Sequence, residues 1–169
     1  MKKYQKYLKE AVILFFTILI VTNIISWYRS KDVKAHNLEL LANYKLLNNQ
    51  ELKPLLEQNK PLIINFWGTW CPVCNQEIST IDKIAKDSDV VLITIAVNSG
   101  SNKDIKEYMK RKSVHFMVVN DKNGELAKAF NIAVFPTTIF YSANRKKVIK
   151  DSGYLTYPGY LARKKLVEQ

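Results

Sequence analysis

A chain of 169 residues with a hydrophobic share of 47% is long enough for one domain plus an appendage and apolar enough for a packed core. Its net charge of +11 is spread, +5 over residues 1–35 and +6 over the rest, and its basic runs lack interleaved aromatic platforms, which excludes a nucleic-acid module. The runs at 110–112, 145–147 and 163–165 read as solvated faces, with contact to anionic lipid or an acidic partner as the alternative.

Residues 1–10 hold Lys2, Lys3, Lys6 and Lys9 and read as a basic cytoplasmic tail. Residues 11–27 carry no charge, and with Tyr28 they make a span, 11–28, that approaches the ~20 residues needed to cross a bilayer. Tyr4, Tyr7, Trp27 and Tyr28 lie at its edges, as interfacial aromatics do. No small-x-small cleavage site follows, since Ile25-Ser26-Trp27 is too bulky, and the stretch has no polar face. A transmembrane anchor is therefore expected in preference to a cleaved signal peptide or a buried soluble helix. Four lysines before the span, against Arg29, Lys31 and Lys34 after it, put the amino terminus in the cytoplasm and the rest of the chain outside. Residues 29–37 read as a linker and 38–169 as the folded domain.

Within that domain, 38–47 reads as a strand or the start of a hairpin, Asn48-Asn49 as a turn and 51–58 as a short helix. The apolar run 62–67, with Ile63, Ile64 and Phe66, suits a central strand of a covered sheet, and Gly68 and Thr69 break it. A helix is predicted from Pro72 to about residue 86, with Val73, Ile78, Ile81, Ile84 and Ala85 on its inner face. Strands are predicted at 90–97, 116–120, 137–141 and 146–150. Between them fall a helix over 104–112 capped by Ser101 or Asn102, a short helix over 125–130, and a closing helix from Tyr157 with Leu161, Leu166 and Val167 inward. The alternation predicts an α/β sandwich.

The chemistry lies where the central strand meets its helix. Pro72 occupies a first helical turn, so the Cys71 sulfur stands at a helix N-terminus, where unpaired N–H groups and the dipole favour an anion and lower the thiol pKa. Cys74 is one turn on, close enough to close a disulfide with Cys71. Such a bridge closes almost no loop, so it gains little as a staple. There is no second Cys-x-x-Cys, and His36 and His115 are isolated, so a four-ligand zinc site is not supported. A reversible dithiol follows, with Cys71 as nucleophile and Cys74 as resolving thiol. Pro72 has no N–H, which leaves the amides of Val73 and Cys74 as donors to the thiolate. Glu77, three residues beyond Cys74 on the same helix side, can accept its proton if burial raises the carboxyl pKa; an ordinary first-turn glutamate is the alternative. Trp67 reads as a core aromatic, Trp70 as a platform beside the disulfide, and His115 as a loop histidine.

Trp67-Gly68-Thr69-Trp70-Cys71-Pro72-Val73-Cys74 resembles the active site of the thioredoxin superfamily. With the expected anchor, the chain is most similar to its membrane-tethered extracytoplasmic branch, the TlpA-, ResA- and ScsD-like thiol–disulfide oxidoreductases. The similarity covers roughly residues 38–155 and includes Phe135-Pro136-Thr137-Thr138. It implies a thioredoxin-like three-layer α/β sandwich with a mixed central sheet, preceded by one N-terminal transmembrane helix, with the helix–strand pair at 102–120 as the insertion typical of the branch. It also implies a cis-proline at Pro136 facing the disulfide and a Phe135 backbone offered to an extended client, so Trp70, Phe135 and Pro136 are the expected substrate-binding residues. Thioredoxins carry a buried aspartate where this chain has Asn65, and ResA-like proteins carry a glutamate at the position of Glu77. Cys71, Cys74 and Glu77 are accordingly the expected catalytic set.

The expected activity is extracytoplasmic thiol–disulfide exchange that reduces disulfides in client proteins, as in cytochrome c maturation or copper-stress defence. It needs no cofactor and no nucleic acid; its partners are client disulfides, a membrane thiol–disulfide electron donor and the lipid bilayer. An oxidase or isomerase of the same fold is the alternative, and a copper(I)-handling module using the same thiolates is the rival from another class. No lysine, arginine or histidine lies in the first helical turn. The Cys71 pKa is therefore expected nearer ~7 than ~3.5, and the potential nearer about −270 mV than about −120 mV.

Overall fold

Leu62–Trp67, buried at every position, is the middle strand of a five-stranded sheet in the computed structural model, which describes residues 36–168 together with Glu10 and Thr17. The chain divides into two units, Met1–Asp32 and Val33–Gln169, and all the elements below belong to the second. The expected anchor at 11–28 lies, apart from Thr17, outside the described residues; among those described, no helix is long and apolar enough to cross a membrane. In chain order the elements are α1 (His36–Ala42), α2 (Lys53–Leu56), β1 (Leu62–Trp67), α3 (Pro72–Ile84), β2 (Val91–Val97), α4 (Asn102–Lys112), β3 (Val118–Asp121), α5 (Glu125–Ala129), β4 (Thr137–Tyr141), β5 (Val148–Ser152) and α6 (Tyr157–Glu168).

The strand order is β3-β2-β1-β4-β5. β1, β2 and β3 run parallel, β4 is antiparallel to β1, and β5 is antiparallel to β4, so the sheet is mixed as the resemblance implies. Alternate residues of β1 feed two cores. Ile63 and Trp67 pack with Ile78 and Ile81 of α3, Ile105 of α4 and Tyr160 of α6 on one face. Leu62, Ile64 and Phe66 pack with Leu41 of α1 and Leu126 of α5 on the other. A sheet covered on both faces gives the three layers and explains why β1 and β2 read as near-continuous apolar runs, each with one polar residue, Asn65 and Thr94.

Three expectations are corrected. Residues 38–47 begin as helix α1, not as a strand; only Lys45 and Leu46 make isolated β-bridges, to Glu51 and Val119. Leu41 is fully buried, and Asn37 Nδ2 donates to the Ala129 carbonyl at 2.9 Å, so docking against α5 selects the helix. On α3 the buried stripe is Cys74, Glu77, Ile78, Ile81, Asp82 and Ile84, while Val73 and Ala85 face outward. On α6, Leu161 and Leu166 are exposed, and the inner stripe is Tyr160, Lys164 and Val167. Lys164 lays its stem inward and brings its ammonium to Asp87 at 2.8 Å, which an apolar pattern does not register.

Candidate active site

The site grows from the carboxyl end of β1. The turn Gly68–Trp70 is tied to the end of β2 by its own groups: Thr69 N–H donates to Ser99 Oγ at 3.0 Å, Trp70 Nε1–H donates to the Val97 carbonyl at 3.0 Å, and Ser99 Oγ–H donates to that carbonyl at 3.0 Å. Cys71 N–H closes the turn onto the Gly68 carbonyl at 3.1 Å. The chain then enters α3 with Cys71 as N-cap in extended conformation and Pro72 in the first turn, where a missing N–H leaves no helical bond unmade.

Cys71 and Cys74 form a disulfide with their Cα atoms 5.3 Å apart. Of the two amides expected to face the Cys71 sulfur, Cys74 N–H reaches it, at 3.2 Å. Both cysteines are buried, so exposure does not separate them; position does, with Cys71 at the cap and Cys74 inside the helix.

Glu77 is buried on the same inner stripe, and only 1% of it is exposed. Its Oε1 accepts the Leu155 N–H at 2.7 Å, and Asn65 Nδ2 approaches Oε2 at 3.5 Å. Burial raises the carboxyl pKa to about 7; the bonds from Leu155 and Asn65 work against that rise, and the charge of Asp151 adds to it. Asn65 is itself buried and donates to Thr138 Oγ1 at 2.9 Å. The position where the resemblance places an aspartate thus holds an amide that bridges β4 to the buried carboxyl of α3.

The peptide bond between Phe135 and Pro136 is cis. Thr137 pairs with Phe66 across β4 and β1, so Pro136 lies at the sheet end where β1 gives way to the Gly68–Cys71 turn. Phe135 meets Trp70 edge to face, with ring centroids 5.4 Å apart. Trp70 remains 53% exposed, whereas Trp67 is buried against Tyr108 and Phe116, the core role expected of it. His115 is an exposed loop residue whose N–H donates to Asp82 Oδ1 at 2.6 Å. Among the described residues no group of three or more His, Cys, Asp or Glu is placed to hold a metal ion.

The structure therefore joins Cys71 with Cys74, Glu77 with Asn65, and Trp70 with Phe135. It adds three groups that sequence reasoning missed: Ser99, Thr138 and the Leu155 amide. Ser99 sits in a polar loop like any other, and Leu155 N–H is a backbone group 78 positions from Glu77, so neither leaves a local signal.

Comparison with known proteins bears on this arrangement. The Redoxin family model matches residues 31–167. A thioredoxin-like protein of Haemophilus influenzae is 32% identical over 161 residues, covering 95% of each chain. The thiol–disulfide oxidoreductase ResA of Bacillus cereus is 24% identical over 161 residues, covering 92% of each. Among solved structures, a secreted Mycobacterium tuberculosis disulfide oxidoreductase homologous to Escherichia coli DsbE matches with a TM-score of 0.62 at 21% identity, over 73% of this chain and 93% of that one. That likeness shows a shared thioredoxin-like fold.

Proposed function

The chain belongs to the Redoxin family, its Cys71–Cys74 pair is that of a thiol–disulfide oxidoreductase, and from this premise we propose that it is a membrane-tethered reductant of client-protein disulfides working outside the cytoplasm. The observation that carries the direction is how sparsely the Cys71 sulfur is supported. Among the described residues one amide, from Cys74, donates to it at 3.2 Å, and the first turn of α3 holds no cation. With so little support the thiolate is only weakly favoured over the disulfide, and the reduced pair keeps its reducing power.

In the reducing cycle the Cys71 thiolate attacks one sulfur of a client disulfide. A Cys71–client disulfide forms, and the client's other sulfur leaves as a thiolate. Cys74 then gives its proton to the Glu77 carboxylate and attacks the Cys71 sulfur. The Cys71–Cys74 disulfide forms, and the second client sulfur leaves reduced. A pKa of about 7 lets Glu77 take that proton near neutrality and release it afterwards. Trp70, Phe135 and Pro136 hold the client beside Cys71, with the Phe135 backbone pairing to an extended segment. The oxidised pair is recharged by a membrane thiol–disulfide donor, and the apolar span 11–28 is the tether that keeps it within reach. Clients of the kind handled in cytochrome c maturation or copper-stress defence fit this role.

The test is redox equilibration of the protein against a dithiothreitol or glutathione buffer. The expected midpoint lies nearer about −270 mV than about −120 mV; a value above about −170 mV moves the protein to the oxidase or isomerase side.

A further inference from the structure

Gly68 stands immediately before the two residues that shape the approach to Cys71, and its own backbone does not require glycine, because its φ is not positive. What requires glycine is the Trp70 ring. A Cβ at residue 68 would lie 2.6 Å from Trp70 Cε2 and Nε1, far inside contact distance. The ring cannot swing away freely, because Nε1–H is bonded to the Val97 carbonyl at 3.0 Å and the indole makes an edge-to-face contact with Phe135. Ser99 braces the same carbonyl and also holds Thr69 N–H. The indole is thus folded over a missing side chain, yet 53% of Trp70 remains open to solvent. Val73, two positions beyond Cys71, and Val134, beside Phe135, are also exposed apolar residues.

We propose that Gly68 is a specificity-determining position: by leaving room for the Trp70 indole to fold back onto Val97, it fixes an aromatic ledge beside Cys71 that favours clients with an apolar side chain next to the reacting cysteine. The inference rests on the reductase reading above. Gly68 touches no client and acts through Trp70. An alanine there pushes the indole off its bond to Val97, and the ledge loses its fixed orientation. Aromatic contacts gain from a defined geometry, so a displaced ring discriminates less.

The experiment uses the full chain, reduced with dithiothreitol and then freed of it. It is offered two synthetic peptides, each closed by one disulfide and differing only in the residue beside the attacked cysteine, leucine in one and serine in the other. The wild type should reduce the leucine peptide about tenfold faster, as an oriented apolar contact of that size allows. Gly68→Ala should bring the ratio to within about twofold of unity, as should Trp70→Ala, and the double variant should match Trp70→Ala. A Gly68→Ala protein that keeps the wild-type ratio overturns the inference, as does a Gly68→Ala effect that persists in the Trp70→Ala background. Should Gly68→Ala fail to fold, Trp70→Phe keeps a ring but lacks the N–H bond to Val97. A reduced ratio there supports the ledge and an unchanged ratio overturns it. Equal reduction of both peptides by the wild type overturns this inference alone, whereas reduction of neither overturns the reductase reading with it.

Discussion

At Glu77, burial and hydrogen bonding pull in opposite directions. Burial dominates and holds the carboxyl at about 7, against an ordinary value of 4.5. A carboxyl whose folded pKa lies above its unfolded value stabilises the protein fully below the unfolded pKa, and that contribution is lost as pH rises through the folded one. The window therefore runs from about 4.5 to about 7, and the loss is on the order of 3 kcal/mol at most. Urea unfolding of the disulfide form at pH 5 and pH 8 should show this drop in the wild type and not in Glu77→Gln. A drop of equal size in the variant would place its origin elsewhere. In the proposed cycle the same carboxyl accepts the Cys74 proton, so resolution should slow as pH falls below about 7 and become slow and flat in Glu77→Gln. At the cysteines, Cys71→Ser should abolish mixed disulfides with a client, while Cys74→Ala should accumulate them. Alkylation with limiting reagent that marks Cys74 first would reverse the two roles.

Among the elements, α3 and α4 start by different means. α3 opens on Cys71 and Pro72, so its cap position is given over to a sulfur. α4 opens on a capping box, in which Ser101 Oγ accepts the Asp104 N–H at 3.2 Å while Ser101 N–H donates to Asp104 Oδ2 at 2.7 Å. Ser101→Ala should cost about 1 kcal/mol of stability in chemical denaturation and leave the potential of the dithiol unmoved. A shift in potential would mean that α4 reaches the site, which the packing of its Tyr108 against Trp67 makes testable. β1 and β4 form the element pair on which the chemistry rests. Their register puts Asn65 opposite Thr138 and so joins the strand that delivers Cys71 to the one that begins after Pro136.

For the whole molecule, the open property is attachment. The uncharged span 11–28 with aromatic edges should keep the full chain in the membrane fraction through an alkaline carbonate wash, whereas a chain beginning at Val33 should be released and keep its exchange activity. Recovery of a native form cut after residue 26 would favour the signal-peptide reading instead. Tethering matters to the proposed role because a reductant outside the cytoplasm must be recharged at the membrane for every turnover.

Local chemistry was legible along the chain. The dithiol, its helix N-terminus, the central strand and a cap at Ser101 or Asn102 all follow from residues within a few positions of one another, because turn, cap and strand preferences act at that range. Helix α1 was not legible, since Leu38 and Leu40 fit a strand period while Leu38 and Leu41 fit a helical one, and only docking on α5 decides. The inner faces of α3 and α6 were read only in part, with Ile78, Ile81, Ile84 and Val167 inward as expected, because Glu77 and Lys164 occupy stripes that an apolar pattern assigns to neighbouring residues. By itself the sequence determined that this protein carries a redox-active cysteine pair at the start of a helix on a covered sheet. The tertiary structure alone decided that Glu77 is buried against Leu155, that Asn65 links it to Thr138, and that Trp70 is locked over Gly68. Those contacts join residues far apart in the chain, and the burial and steric fit that set their chemistry exist only once the layers have closed.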